Sequence, residues 1–179
     1  IFLELERLHS HMLWTGVAGH IIGFDTLFMQ TWRMREPVMW LCEQLTGNRK
    51  TYGMNIVGGV RRDISRDDFP KIEKVLADIE REWTALQEAV PGDSTLVGRL
   101  GNVGELTPEE ARLLCSLGPV ARASGLAMDV RVDHPYAAYD ELEVEKCVED
   151  GCDTLARTFV RLRETPVAIS VIRQCLEQM

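Results

Sequence analysis

Apolar residues recur at steps of three and four over two long stretches of this chain, which is the spacing of one face of an α-helix. The first stretch covers residues 1–22 and the second covers residues 69–89. The apolar positions are Phe2, Leu5, Leu8, Met12, Leu13, Val17 and Ile21, and then Ile72, Val75, Leu76, Ile79, Trp83 and Leu86. Each stretch is therefore predicted to be a helix that buries one side.

A third apolar pattern begins at Leu27 and ends at Gly47-Asn48, a pair typical of a helix C-terminus. Pro37 inside it predicts a kink or a restart of the helix. This helix is predicted to pack antiparallel to the first. Residues 55–64 contain Gly58-Gly59 among β-branched side chains, which favours a short strand or a tight loop.

Turn and cap residues divide the rest of the chain. Ser65 is the predicted N-cap of the helix over 69–89, and Pro91-Gly92-Asp93 ends it. Thr107-Pro108 opens a short helix that Gly118-Pro119 is predicted to close. A loop is expected from there to Tyr139.

The last stretch, Glu143 to Met179, is predicted to be one long helix with irregularities at Gly151 and Pro166. Its expected core positions are Cys147, Cys152, Leu155, Phe159, Leu162, Val171, Cys175 and Met179. The predicted fold is mainly α: a helical bundle of long antiparallel helices with small irregular or β insertions, forming a single domain over residues 1–179.

Composition agrees with a globular fold and excludes some functions. Apolar residues make up 45% of the chain, enough for a sizeable core. The net charge of -8 disfavours binding to a nucleic-acid backbone, which needs clustered Lys and Arg. No uncharged apolar run of about 18 residues offers a membrane span. The chain begins at Ile1 inside a helical pattern, and we expect it to be part of a longer protein.

Histidine and cysteine spacing predicts no metal site. His9 and His11 point to different faces of the first helix, and His20 lies three turns from His9, so these residues are interpreted as structural. The five cysteines are scattered without a Cys-x-x-Cys pair, so reduced, buried thiols are expected. No catalytic, cofactor-binding or metal-binding residue is therefore assigned. The Gly-x-Ser-x-Gly, phosphate-loop and dinucleotide motifs are also absent.

Two polar segments remain candidates. Arg61 and Arg62 follow the glycine pair, and they would pair with carboxylates or an anion, or else lie on a solvated surface. Arg122 and Arg131 lie in a segment with little regular pattern that runs to Tyr136. Such a segment would build a buried polar network, form a subunit contact, or simply shape a loop.

Several ordered motifs resemble one known family. They are Glu4-Leu5-Glu6-Arg7 with Ser10-His11-Met12-Leu13-Trp14, Gly23-Phe24-Asp25, Thr46-Gly47-Asn48-Arg49, Gly58-Gly59-Val60-Arg61-Arg62-Asp63, Arg122-Ala123-Ser124-Gly125, and Pro135-Tyr136 with Tyr139. In this order they look like the central part of the large subunit of membrane-bound, energy-converting [NiFe] hydrogenases. The same lineage includes the 49-kDa subunit of respiratory complex I.

The resemblance implies a complex that couples proton reduction or hydrogen oxidation to ion translocation. In that family four cysteines, in one Cys-x-x-Cys motif near each end of the subunit, hold a nickel–iron centre. Neither motif occurs here, so this segment is expected to bind no metal and to catalyse nothing alone. The implied partners are an iron–sulfur small subunit, which carries the clusters, and membrane subunits; the implied location is the cytoplasmic face of the membrane.

One local difference favours the hydrogenase branch. In the complex I subunits that this chain resembles, a histidine pair stands where this chain has Thr51-Tyr52. By the same resemblance, the quinone-site histidine and tyrosine of complex I would precede Ile1. By resemblance, the loop with Arg122 and Arg131 lies near the small-subunit interface. A complex I-like NADH–quinone oxidoreductase is the alternative enzyme, and a stand-alone helical scaffold is the non-enzymatic alternative. The isolated chain is expected to expose apolar surface and to self-associate.

Overall fold

The computed structural model describes residues 1–51 and 53–179, and this part of the chain is mainly α, as predicted. The difference between Thr51-Tyr52 and the complex I histidines therefore includes one position, Tyr52, outside the described residues. The elements are α1 (Phe2–Ile21), α2 (Asp25–Thr46), β1 (Asn55–Ile56), β2 (Gly59–Val60), α3 (Phe69–Ala89), α4 (Ser94–Leu100), α5 (Pro108–Leu113), α6 (Gly118–Arg122), α7 (Val130–Asp133) and α8 (Thr154–Gln178), with 3₁₀ turns at Arg66–Asp68, Val90–Gly92 and Tyr139–Glu141.

The chain divides into two compact units. Unit 1 consists of Ile1–Ala85 and Ala168–Met179, and unit 2 consists of Leu86–Val167. Helices α3 and α8 each contribute residues to both units. Each unit is described separately below.

Unit 1 is built on the hairpin of α1 and α2, which pack closely through glycines. A Cβ on Gly16 would lie 2.3 Å from Oγ1 of Thr31, and a Cβ on Gly19 would lie 3.0 Å from Cδ2 of Leu27. These pairs run in opposite sequence directions, which confirms the antiparallel packing. The close approach also changes which side of α1 is buried in its second half.

The buried residues of that half are Thr15, Gly16 and Gly19, whereas Val17 and Ile21 are exposed. The predicted stripe is thus correct over Phe2, Leu5, Leu8 and Met12 and wrong at its last two positions. The physical reason is that small residues, and not branched ones, let the two backbones approach. Apolar periodicity alone does not reveal this kind of contact.

Helix α2 continues through Pro37 without interruption, so the predicted restart at that residue is wrong. It ends as predicted at Gly47, which adopts a left-handed conformation with φ of 81° and donates its N–H to the carbonyl of Glu43. The following segment forms the antiparallel hairpin of β1 and β2, with Asn55 opposite Val60. Of the two predicted possibilities, a short strand or a tight loop, this segment combines both: two-residue strands joined by a tight turn.

Helix α3 has the predicted bounds. The hydroxyl of Ser65 accepts a hydrogen bond from the N–H of Asp67, which caps the 3₁₀ turn that leads into the helix. Ile72, Leu76 and Trp83 are buried as the periodicity predicted. In unit 1, Arg173 of α8 forms ion pairs with Glu73 and Glu80 of α3 at 2.9 and 2.8 Å.

Unit 2 begins with short helices. The predicted helix opening at Thr107-Pro108 is confirmed, and Thr107 forms a capping box with Glu110 at the start of α5. The prediction that Gly118-Pro119 closes this helix is wrong: α5 ends at Leu113, and Gly118-Pro119 begins α6. Proline suits both a helix start and the residues after a helix, and here it takes the first role.

The last helix begins at Thr154, eleven residues later than Glu143, so the predicted start is wrong. The preceding residues are not helical because their backbone groups bond to other segments. The N–H of Glu149 donates to the carbonyl of Arg122 at 3.0 Å, and the N–H of Cys152 donates to that of Ala123 at 2.9 Å. Cys152 has φ of 59°, outside the helical range.

Burial along this last stretch partly agrees with the prediction. Cys147, Leu162 and Val171 are buried, whereas Leu155, Phe159, Cys152 and Cys175 are only partly buried. Met179 is 42% exposed and so is not a core residue. Pro166 lies inside α8, which continues past it.

Candidate functional site

The polar loop of unit 2 forms a buried ionic network. Arg122 donates from Nε to Oε1 of Glu164 at 2.6 Å and from Nη1 to the carbonyl oxygen of Met128 at 2.8 Å. Glu164 is fully buried, and Arg122 is 3% exposed. Because an isolated buried charge is costly, these two groups depend on each other for their place in the core.

Asp129 links the second arginine to the first. Its Oδ2 lies 2.7 Å from Nη2 of Arg131 and 3.4 Å from Nη1 of Arg122. Its Oδ1 accepts from Nε of Arg131 at 3.0 Å and from the N–H of Arg131 at 3.1 Å, so the same carboxylate also caps α7. The network thus contains both predicted arginines, Arg122 and Arg131.

Charge controls the protonation of this carboxylate. Burial raises the pKa of Asp129, but the hydrogen bonds and charge of Arg131 and the charge of Arg122 outweigh it and hold the pKa at about 2. Burial also lowers the pKa of Arg161, the neighbouring cation on α8, to about 10. Asp129 and Arg161 are therefore charged near neutral pH, which suits positioning of the chain and not proton transfer.

Local sequence explains how the loop reaches this arrangement. Gly125, three residues after the end of α6, adopts φ of 75° and turns the chain, and its N–H donates to the carbonyl of Glu149. Asp133 accepts a hydrogen bond from the N–H of Asp129 at 2.8 Å and pairs with Lys146. Asp129 and Glu164 were not named as site residues by sequence reasoning. The sequence shows the Asp-x-Arg spacing of Asp129 and Arg131, but it does not show that Glu164 on α8 is the partner of Arg122.

The other predicted residues lie elsewhere. Arg61 and Arg62 are exposed in unit 1, directly after β2. Tyr136 of unit 2 is 42% exposed, and its ring meets that of Tyr139 edge-on with centroids 5.0 Å apart. Arg61 and Arg62 are thus exposed in this chain, whereas Arg122 and Arg131 belong to the buried ionic network.

A second cluster, in unit 1, surrounds His9 and was not predicted. Nε2 of His9 lies 2.5 Å from Nη2 of Arg35, and Nζ of Lys50 contacts the same nitrogen. A small pocket with an empty volume of about 200 Å³, which includes adjoining solvent, opens beside it. We name it the His9 pocket; it is lined by Glu6, His9, Cys42, Arg49, Lys50 and Thr51.

The electrostatics of the His9 pocket keep the ring neutral. Burial, followed by the charges of Arg35 and Lys50, lowers the pKa of His9 to about 4. Burial also lowers the pKa of Lys50, with a further contribution from the charge of Arg35. Burial raises the pKa of the Cys42 thiol to about 11, so this thiol is a poor nucleophile at neutral pH.

The remaining histidines on α1 have different surroundings. His11 is 4% exposed, and Nδ1 of His20 lies 2.7 Å from Oδ1 of Asp25 at the exposed end of the hairpin. All five cysteines are free. In residues 1–51 and 53–179, no group of three or more His, Cys, Asp and Glu side chains is arranged to hold a metal ion.

A nickel–iron centre does not fit these residues. Such a centre requires several thiolates at one place. Burial raises the pKa of the two buried thiols, Cys42 and Cys147, to about 11, and no described cysteine belongs to a group arranged to hold a metal ion. No step of hydrogen chemistry is therefore assigned to the residues of this chain.

Within residues 1–51 and 53–179, no helix combines the length and the hydropathy that a membrane span requires.

The chain is similar in sequence and in fold to known proteins. The chain is 42% identical over 179 residues to formate hydrogenlyase subunit 5 of Escherichia coli (strain K12), covering 100% of this chain and 32% of that protein. It is 36% identical over the same length to hydrogenase-4 component G of that organism, covering 29% of it.

A solved structure is similar over nearly the whole chain. It is that of the membrane-bound sulfane sulfur reductase, an archaeal respiratory membrane complex; one of its chains matches with a TM-score of 0.89 and 31% identity, covering 98% of this chain and 48% of that one. The chain thus spans from about a third to about half of the length of these proteins. Residues 22–179 match the model of one family. The chain therefore belongs to the family described as the 49-kDa subunit of the respiratory-chain NADH dehydrogenase.

Proposed function

We propose that this chain is a central segment of the large subunit of an energy-converting [NiFe] hydrogenase, which couples hydrogen oxidation or proton reduction to ion translocation. The observation that carries the proposal is the 42% identity to formate hydrogenlyase subunit 5 along all 179 residues. Hydrogenase-4 component G, also similar over the full length, supports the same branch. Thr51, which replaces a histidine of the complex I pattern, agrees with it.

The alternative is a subunit of a complex I-like NADH–quinone oxidoreductase. The family description itself, the 49-kDa subunit of the NADH dehydrogenase, favours this possibility. The two alternatives differ in the metal chemistry expected outside these residues. A hydrogenase needs cysteine pairs on both sides of this segment, whereas the complex I branch needs a quinone-site histidine upstream.

The role proposed for this segment is structural support within a larger subunit. The nickel–iron centre would be held by the rest of that subunit, and the iron–sulfur clusters by a small partner subunit. The buried network of Arg122, Asp129 and Glu164 supports this role, because it cross-links a loop that has little regular structure. The segment itself contributes no metal ligand to the proposal.

We further propose that the exposed Arg61, Arg62 and Tyr136 contact neighbouring subunits. The complex would lie on the cytoplasmic face of the membrane and be anchored by its membrane subunits. The similar chain from an archaeal respiratory membrane complex supports a membrane-associated assembly. Exposed arginines beside an apolar hairpin tip are suited to protein contacts, because arginine is enriched at such interfaces.

The decisive experiment uses the full-length parent subunit, purified in its complex. The hydrogenase proposal expects a Cys-x-x-Cys motif on each side of this segment, about one nickel per subunit by elemental analysis, and hydrogen-dependent reduction of an artificial acceptor. Absence of both motifs and of nickel contradicts it. In that case, quinone reduction with an upstream histidine supports the complex I alternative, and no redox activity supports a scaffold.

The contact proposal is tested separately on the same complex. Arg61→Glu with Arg62→Glu is expected to reduce co-purification of the small subunit at least several-fold, because both charges are reversed at the contact. Arg81→Glu, at an exposed position of α3, is the matched control. Equal co-purification of both variants with the small subunit would contradict the assignment of this surface.

A further inference from the structure

Two cations meet at one neutral acceptor in the His9 pocket. Nη2 of Arg35 and Nζ of Lys50 both contact Nε2 of His9. A neutral imidazole nitrogen offers one lone pair, whereas a guanidinium carries five N–H donors and an ammonium carries three. His9 therefore cannot satisfy both cations.

Arg35 is the more constrained of the two. It is 6% exposed, and its Nε is buried without a hydrogen-bond partner among the described residues. The ring of Trp32 lies 5.1 Å from the guanidinium carbon, which favours a cation but supplies no lone pair. Within residues 1–51 and 53–179, neither Arg35 nor Lys50 forms an ion pair with a carboxylate, so the charge of the cluster is not balanced.

The acidic residues nearby have other partners. Oε2 of Glu6, on the wall of the pocket, accepts from Oγ1 of Thr51 at 3.2 Å. Glu36 pairs with Arg49 at 2.8 Å. Lys50 on the pocket wall and Arg35 in contact with His9 are thus two cations whose charge is not neutralised by an ion pair. Glu6 would repel a second negative charge, which favours a singly charged anion over a phosphate or sulfate.

We propose that the His9 pocket binds a carboxylate, with Lys50 and Arg35 donating to its oxygens. When the carboxylate binds, each cation moves its donor from His9 to an anionic oxygen, which forms a stronger hydrogen bond than a neutral nitrogen. The carboxylate comes either from an acidic side chain outside residues 1–179, on the same subunit or a partner, or from a small free organic acid. This proposal does not depend on which reaction the parent complex catalyses.

The first part of the test is a titration of the protein with sodium acetate, followed by NMR of the His9 ring and the Lys50 ammonium. Acetamide, which has the same shape without the charge, is the control ligand. A saturable shift with acetate and none with acetamide is expected. Lys50→Met should abolish the shift, Lys50→Arg should keep it, and Lys74→Met, at an exposed lysine of α3, is the matched control.

The second part uses a carbodiimide, which joins a lysine to a contacting carboxylate, on the intact complex. A Lys50 cross-link to an acidic residue outside residues 1–179, identified by mass spectrometry, assigns the carboxylate to the protein. Saturable acetate binding without such a cross-link assigns it to a free acid. If acetate causes no saturable shift and Lys50 joins to Glu6 alone or to nothing, the proposal is overturned.

Discussion

Asp129 is the residue through which the loop of unit 2 is organised, because its two oxygens serve Arg131, Arg122 and the start of α7. Asp129→Asn keeps the size of the side chain but removes the charge. Two buried arginines then lose an ionic partner, and we expect a loss of about 3–5 kcal/mol in the free energy of unfolding. Urea denaturation followed by circular dichroism measures it.

Asp140→Asn is the matched control for this substitution, since Asp140 is exposed in the same unit. A change within about 0.5 kcal/mol is expected for it. Equal stabilities of the two variants would show that the ionic network does not stabilise the fold.

His9 makes the free energy of unfolding depend on pH. Its pKa is about 4 in the folded protein against 6.5 for an unperturbed histidine, so between these values the unfolded state binds more protons. The free energy of unfolding therefore falls as the pH is lowered from about 6.5 to about 4. The expected fall is about 1–2 kcal/mol, because solvent screens this partly exposed ring.

His9→Gln should flatten this part of the stability profile, measured as the urea midpoint at several pH values. His134→Gln, at an exposed position, controls for the loss of an imidazole. A profile for His9→Gln that is parallel to that of the unsubstituted protein would contradict the lowered pKa.

At this scale the sequence predicts residue types better than partners. Arg122 and Arg131 were recognised as members of a polar segment, but Glu164 lies 42 residues from Arg122 along the chain. The His9 cluster was missed for a similar reason, because His9 and Arg35 meet only once α1 and α2 pair in the observed register. Spacing within one helix contains no information about such contacts.

At the scale of elements, the α1–α2 hairpin depends on its glycines. The Cβ introduced by Gly16→Ala would lie 2.3 Å from Oγ1 of Thr31 and 3.0 Å from Cδ1 of Trp32, so these side chains must shift or the helices must separate. We expect a loss of about 1–3 kcal/mol, as for other overpacked cores. Thermal unfolding followed by circular dichroism measures it.

Gly98→Ala provides the opposite expectation. Gly98 lies inside α4, and a Cβ there has no neighbour within 4 Å. This substitution should be neutral or stabilise by up to about 1 kcal/mol, because alanine favours a helix. If both glycine variants were stabilised, close helix packing at Gly16 would be disproved.

Elements were predicted well where one local signal dominates. The period of α3 and the Thr107 cap of α5 are properties of neighbouring residues, and both were confirmed. The predicted start of α8 was wrong because the backbone N–H groups of Glu149 and Cys152 donate hydrogen bonds to the carbonyls of Arg122 and Ala123, about 27 to 29 residues earlier. Helix α4 was not predicted, since seven residues are too few for a clear period.

At the scale of the molecule, exposed apolar side chains predict self-association of the isolated chain. Leu113, Leu114 and Leu117 are each at least 68% exposed around the end of α5, and Val57 is fully exposed at the hairpin tip. Sedimentation of the chain at increasing concentration should show dimers or larger species. A single monomeric species at all concentrations would contradict this.

Leu113→Lys combined with Leu114→Lys should shift the equilibrium several-fold toward monomer, because charge opposes apolar contact. Glu109→Lys, at an exposed position of the same helix, is the matched control for added positive charge.

The family was recognisable from ordered motifs, but the reaction is not encoded in these residues alone. Its relatives are about two to three times longer, and the sequence contains no Cys-x-x-Cys pair.

The buried network of unit 2 holds its loop in a fixed conformation although the loop contains little helix and no strand. The N–H groups of Gly125, Asp129 and Arg131 donate to Glu149, Asp133 and Asp129 respectively, although these residues lie only in a loop or at the start of the four-residue helix α7. They should therefore exchange with deuterium far more slowly than those around Val57 and Gly58 at the hairpin tip. Limited proteolysis would then cleave the hairpin before it cleaves this loop.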